Sequence, residues 1–166
     1  MSDALGLMTI YRQKASVERC PGHARLVTWA DSALKVAPYV SACALTIRFV
    51  DLDEAQELNF HYRHKNYATN VLSFPYEAPS GIDAHALKDE PDYLGDLVIC
   101  QPVVIAEARA QQKTVPAHTA HLVIHGVLHL LGFDHETLAD AEAMESREII
   151  ALHQLGFANP YLELNE

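Results

Sequence analysis

The sequence predicts an α+β fold: one small mixed β-sheet with helices packed on it. Three observations predict it. Short alternating apolar segments fall in the first two-thirds of the chain, and runs with helical spacing lie between and after them. A length of 166 residues, with 49% apolar and 20% charged residues, suits one domain spanning 1–166 that buries a core without metal or disulfide staples.

The elements follow in chain order. A strand is expected around Thr9–Arg12, then a helix over Gly22–Val36, where Leu26, Trp29, Ala30, Ala33 and Leu34 keep helical spacing and Pro38 stops the run. Ala44–Val50 sets Leu45, Ile47 and Phe49 against Thr46 and Arg48, the alternation of a half-buried strand. Asp51 stands at an N-cap position with Glu54 three residues on, a capping box that opens a helix through about Tyr62. Val71–Phe74 is a short strand ended by Pro75, and an acidic Pro/Gly-containing loop runs from Glu77 to Asp92. Leu94–Cys100 is a second strong strand, with Pro102 in the first turn of the next helix. Pro116 opens a helix that is apolar through Leu122, Ile124, Val127, Leu128 and Leu131 and is closed by Gly132. Thr137 and Asp140 cap the last helix, which runs to Gly156.

Composition excludes several classes. Cys20, Cys43 and Cys100 are odd in number and widely spaced, so neither a disulfide framework nor a Cys-rich zinc knuckle is available. Reduced thiols fit a cytoplasmic protein. Met1-Ser2-Asp3-Ala4 shows no basic region ahead of an apolar stretch, so no signal peptide is expected. The uncharged stretch from Thr114 to Phe133 carries Pro116 and four His, which a membrane span would not tolerate easily. The net charge of −10 is uneven: residues 1–70 hold eight basic and seven acidic side chains, residues 71–166 four and fifteen. Broad non-specific nucleic-acid binding is disfavoured, and any polyanion site must be local and in the first half.

The densest chemistry lies in His125-Gly126-Val127-Leu128-His129-Leu130-Leu131-Gly132-Phe133-Asp134-His135. Residues four apart on a helix are offset by about 40° and about 6 Å, so His125 and His129 present imidazoles from one face. Gly132 can take the left-handed turn that returns His135 to the same point. Three neutral ligands leave a fourth position for water, the arrangement of a catalytic zinc site. By composition alone this spacing arises on the order of once in a thousand such chains. One Zn²⁺ per chain is expected, though a three-His set also suits Ni²⁺ or another divalent cation. The spacing equals that of the metzincin protease motif, but Gly126 replaces its catalytic Glu. Asp134 is either an orienting or basic carboxylate or an ordinary acidic turn residue. His121, one turn before His125, either reaches the same face or lies beside the site.

Phe60-His61-Tyr62-Arg63-His64-Lys65-Asn66-Tyr67 is the only dense basic and aromatic patch. Arg63 offers a planar fork suited to phosphate, the aromatics with His61 and His64 could stack on unpaired RNA bases, and Lys65 adds a further cationic contact. A solvated helix end with C-terminal cations explains the same residues. Thr69-Asn70 would bond backbone groups in a turn.

Leu58-Asn59, Tyr62-Arg63, Thr69 to Pro75, Gly95-Asp96-Leu97-Val98-Ile99 and the histidine block are similar to the successive motifs of the YbeY family, bacterial endoribonucleases of ribosomal RNA maturation. Ala143-Met144-Glu145, Leu155-Gly156 and Asn159-Pro160-Tyr161 resemble it too, so the likeness covers about Ala44 to Tyr161. Asn66 stands where an acid is common in the family, and Phe133 where Tyr is common. The resemblance implies a zinc-dependent, single-strand-specific endoribonuclease of small-subunit rRNA 3′ end maturation and ribosome quality control. Its partners would be rRNA precursor, the ribosome or small subunit, and assembly factors. The family's metal ligands fall on His125, His129 and His135 and its functional arginine on Arg63, so cleavage is expected to depend on Arg63 and His125. A zinc protease, disfavoured by Gly126, and a non-catalytic assembly factor with a structural metal are the rival readings.

Overall fold

In the computed structural model, residues 7–39, 41–77 and 90–162 are described. The chain order is β1 (Met8–Lys14), α1 (His23–Val36), β2 (Cys43–Val50), α2 (Leu52–Arg63), β3 (Val71–Pro75), β4 (Asp92–Cys100), α3 (Gln101–Ala110), α4 (Val115–Leu130) and α5 (Leu138–Gln154). The strands form one sheet in the order β1-β2-β4-β3. β1, β2 and β4 run parallel, while β3 pairs antiparallel with β4 and makes the sheet mixed. The α+β expectation holds. Most of the Glu77–Asp92 loop, residues 78–89, and Met1–Ala4 lie outside the described residues.

Alternation along the strands divides the molecule into two apolar layers. Leu45, Ile47 and Phe49 of β2 and Leu97 and Ile99 of β4 are wholly buried in the main core with Leu26, Trp29 and Leu34 of α1, Ile124 and Leu128 of α4, and Met144 and Leu152 of α5. Full burial of each large side chain contributes roughly 1.5–3 kcal/mol before entropy is charged against it. The even-numbered positions face the other way: Val98, Cys100, Val50 and Leu72 form a smaller cluster with Ala55 and Leu58 of α2. Helix α2 thus packs on the sheet face opposite α1, α4 and α5, where Val103 of α3 meets the same cluster.

Two local expectations change. Asp51 is the N-cap of α2, but its side chain does not cap the helix. Its carboxylate accepts Ser16 Oγ at 2.5 Å and the Val17 amide at 3.1 Å, tying the β1–α1 connection to the start of α2. Glu54 is drawn away from the box as well. It accepts Arg48 Nε at 2.7 Å and Arg48 Nη2 at 3.1 Å, a two-pronged carboxylate pair. Asn70 differs similarly, since its side-chain amide donates to Glu107 Oε1 at 3.0 Å rather than to a local turn. The same oxygen accepts Nε2 of buried His118 at 2.9 Å, so one carboxylate joins the entry of β3 to α3 and α4.

Between β2 and β4 the register slips at Ala44/Leu45, where Leu94 is passed over and Gly95 pairs with Leu45. Gly95 has φ +140°, and a Cβ there would lie 2.2 Å from the Phe74 carbonyl oxygen. Only glycine lets β3 approach β4 this closely. We expect Gly95→Ala to lower stability by about 1–3 kcal/mol or more, read as a fall in the urea midpoint. An unchanged midpoint would contradict the close approach.

Candidate metal centre

Helix α4 supplies two of the three clustered histidines. Thr114 caps it by accepting the Ala117 amide at 3.1 Å, and a proline occupies its first turn. Val123, Ile124, Val127 and Leu128 are wholly buried, whereas His125 and His129 are partly exposed. They stand one turn apart with ring centroids 4.7 Å from each other. The helix ends at a glycine C-cap: Gly132, at φ +106°, donates to His129 O, and Phe133 donates to Leu128 O, each at 3.0 Å. This reversal brings exposed His135 back, its ring 5.7 Å from that of His125 and 5.0 Å from that of His129. One nitrogen from each of the three lies within 4.8 Å of the other two.

Beneath the triad lies a buried carboxylate. Glu148 of α5 is wholly buried; its Oε2 accepts His125 Nδ1 at 2.6 Å and its Oε1 accepts His121 Nε2 at 2.8 Å. Tyr161 also donates its hydroxyl to Oε1. Burial alone would push this carboxyl up, but the hydrogen bonds from His121, His125 and Tyr161 outweigh it and hold it down to about 2. The Tyr161 phenol is pushed up by burial and by Glu148. Burial, and then the neighbouring His125 and His135, lower the His129 pKa. The donor set fits a divalent transition metal: burial favours the neutral form of the His129 ring, and His125, donating through Nδ1, has Nε2 as the nitrogen that would coordinate.

A family model described as Endoribonuclease YbeY matches residues 10–156. This chain belongs to the YbeY endoribonuclease family. It is 50% identical over 147 residues to Endoribonuclease YbeY of Coxiella burnetii (strain RSA 493 / Nine Mile phase I), covering 88% of this chain and 92% of that protein. The corresponding protein of Pseudomonas savastanoi pv. phaseolicola (strain 1448A / Race 6) is 51% identical over 151 residues, 91% of this chain and 86% of the relative. The solution structure of TM1509 from Thermotoga maritima shares the fold with a TM-score of 0.56 at 22% identity, covering 89% of this chain and 92% of that one.

Of the residues singled out in the sequence, the structure brings His125, His129 and His135 together as a group that could hold a metal ion. His121 stands beside them, its ring centroid 6.3 Å from that of His125, with Nε2 committed to Glu148. Asp134 accepts the Glu136 amide at 3.3 Å in the turn after Gly132, and among the described residues it makes no hydrogen bond to the triad. Phe133 lies under the Arg147 guanidinium, 4.8 Å from the ring centroid. Asn66 accepts the Gln56 side-chain amide at 2.8 Å.

The basic cluster occupies the C-terminal end of α2. Arg63 is exposed and forms no hydrogen bond or ion pair among the described residues. His64 takes the left-handed conformation at φ 60° that ends the helix, and exposed Lys65 donates its amide to Asn59 O at 3.4 Å. Wholly buried Asn59 donates to the Tyr67 carbonyl at 2.8 Å and ties the loop down. His61 meets Tyr62 edge-on at 4.7 Å, and Tyr62 meets Phe74 of β3 at 5.0 Å. Edge strand β3 therefore lies between this cluster and α4, which packs on β3 from the other sheet face.

Sequence reasoning missed Glu148. Its signal was a charge on an otherwise apolar helical stripe formed by Met144, Ala151 and Leu152. Gly126 also gains a reason. It is buried against the sheet, and a Cβ there would lie 2.6 Å from Leu97 Cδ2, so position 126 cannot present a basic carboxylate to the triad.

Two outcomes are expected. Titration should show one divalent cation taken up per chain and lost in His129→Ala, with about 2.7 kcal/mol of added stability at roughly 100 times the Kd, read by metal analysis and thermal melting. Gly126→Glu should destabilise the fold by roughly 3 kcal/mol or more and confer no peptidase activity, measured by chemical denaturation and a casein assay.

Proposed function

We propose that the chain, as one domain over 1–166, is a metal-dependent, single-strand-specific endoribonuclease of the cytoplasm. Its substrate would be rRNA precursor at the small-subunit 3′ end, in maturation and ribosome quality control, with the small subunit and its assembly factors as partners. The observation that carries this is the convergence of His125, His129 and His135 at a partly exposed rim in a chain of the YbeY family. No helix among the described residues is long and apolar enough to cross a membrane, which fits this setting.

His125, His129 and His135 would hold the cation, Zn²⁺ or another divalent ion such as Ni²⁺. When bound, it supplies Lewis-acid polarisation of the phosphoryl group and acidification of water. The protein's own contribution is charge and position. Arg63, exposed and unpaired among the described residues, has both faces of its guanidinium fork available for the non-bridging oxygens of a phosphodiester. His61, His64 and Lys65 add local positive character or hydrogen-bond donors. Exposed Phe60, Tyr62 and Tyr67, at 56%, 59% and 52%, offer faces on which unpaired bases can stack. Duplex RNA hides those bases, so this surface favours single strands. The acidic second half of the chain repels the remaining backbone and restricts engagement to this patch.

The test uses purified, metal-loaded protein on matched single-stranded and duplex RNA. Wild type should cut the single strand preferentially. His125→Ala should lose metal and cleavage together, whereas Arg63→Ala should lose about 10²-fold or more in rate with metal content unchanged. Wild-type rates in Arg63→Ala would remove its role, and equal cutting of duplex would remove the strand preference.

A further inference from the structure

We infer that Glu148 is a positioning residue for the histidine triad, and that His121 and Tyr161 act on the site only by holding the Glu148 carboxylate in place. This rests on the metal reading above and adds a residue to it.

Hydrogen-bond chemistry leads to this assignment. An ionised carboxylate only accepts. The 2.6 Å contact from His125 Nδ1 to Glu148 Oε2 therefore places a proton on Nδ1, so that in the neutral ring Nε2 is the lone-pair nitrogen. A free imidazole exchanges its proton between the two nitrogens, so an unbraced His125 would spend part of its time with the wrong nitrogen protonated and its ring free to turn. The second carboxylate oxygen is held by two further donors, His121 Nε2 at 2.8 Å and the Tyr161 hydroxyl. His121 cannot at the same time serve as a ligand: its Nε2 is committed to Glu148, and its Nδ1 is buried, with no partner among the described residues.

The setting of Glu148 argues that this arrangement is specific. It lies on the buried stripe of α5 beside Met144, Ala151 and Leu152, where an apolar side chain would pack at no electrostatic cost. An isolated carboxylate there would be strongly unfavourable. It is tolerated because three donors from two separate parts of the chain converge on its two oxygens: two from α4, and one from Tyr161, which lies beyond α5. The Tyr161 ring also meets His121 edge-on, with centroids 5.4 Å apart, so this residue beyond the end of α5 braces the carboxylate and its neighbour together.

The decisive measurement needs no metal and no variant. Long-range ¹H–¹⁵N correlation on metal-free wild type should show His125 as the Nδ1–H tautomer; an Nε2–H tautomer there overturns the inference. Glu148→Met keeps the volume and removes the acceptor. It should shift His125 towards Nε2–H and weaken Zn²⁺ binding by about 10–100-fold in competition with a chelating dye. Tyr161→Phe, at a position 42% exposed, should still fold and give a smaller loss of Zn²⁺ affinity than Glu148→Met, with a modest fall in the melting temperature of the metal-free protein because one donor to the buried carboxylate is gone. If both variants bind Zn²⁺ as wild type does, Glu148 is a packing residue and the inference fails. If wild type takes up no divalent cation, the metal reading fails, and the tautomer measurement still decides the positioning role.

Discussion

Helix α4 carries core and candidate site at once, and its rotation about its own axis is set by the lack of a side chain at Gly126. The helix settles onto Leu97 of β4 with no room for a Cβ between them. That contact turns positions 123, 124, 127 and 128 into the core and leaves 125 and 129 at the rim. A rotation large enough to admit a carboxylate at 126 would carry His125 and His129 away from His135. Packing and chemistry therefore compete for the same few residues. The packing solution also explains why the likeness of spacing to zinc proteases does not extend to their base.

The parts of the site that were legible in the sequence are those whose geometry is local. His125, His129, Gly132 and His135 span one helical turn and one reversal, so helix periodicity and a left-handed glycine suffice to bring them together. Strand alternation similarly exposed Leu45, Ile47 and Phe49 as one face. Glu148 was not legible because its role depends on α5 lying against α4, which no local pattern encodes. Asp51 shows the opposite failure. Its local pattern was right for a cap, but Ser16 and Val17, distant in sequence, supplied better partners.

The two sheet faces divide the proposed labour. The histidines belong to the side covered by α1, α4 and α5, whereas Arg63 ends the helix on the other side, and short strand β3 separates them. The missing side chain at Gly95, which lets Phe74 and Pro75 sit close on β4, shapes the boundary between the two halves.

The turn at Gly132 carries a kinetic consequence. His125 and His129 stand on a helix whose core residues are protected as deeply as any in the molecule. His135 hangs beyond a reversal held by two backbone hydrogen bonds and by Phe133, which packs on the core and under Arg147, with Gly132 and His135 exposed. Local opening of such a segment requires far less free energy than global unfolding. Exchange of an ion held by these three rings would then follow the breathing of the chain beyond Phe133, letting the ion leave and return while the buried face of α4 stays packed.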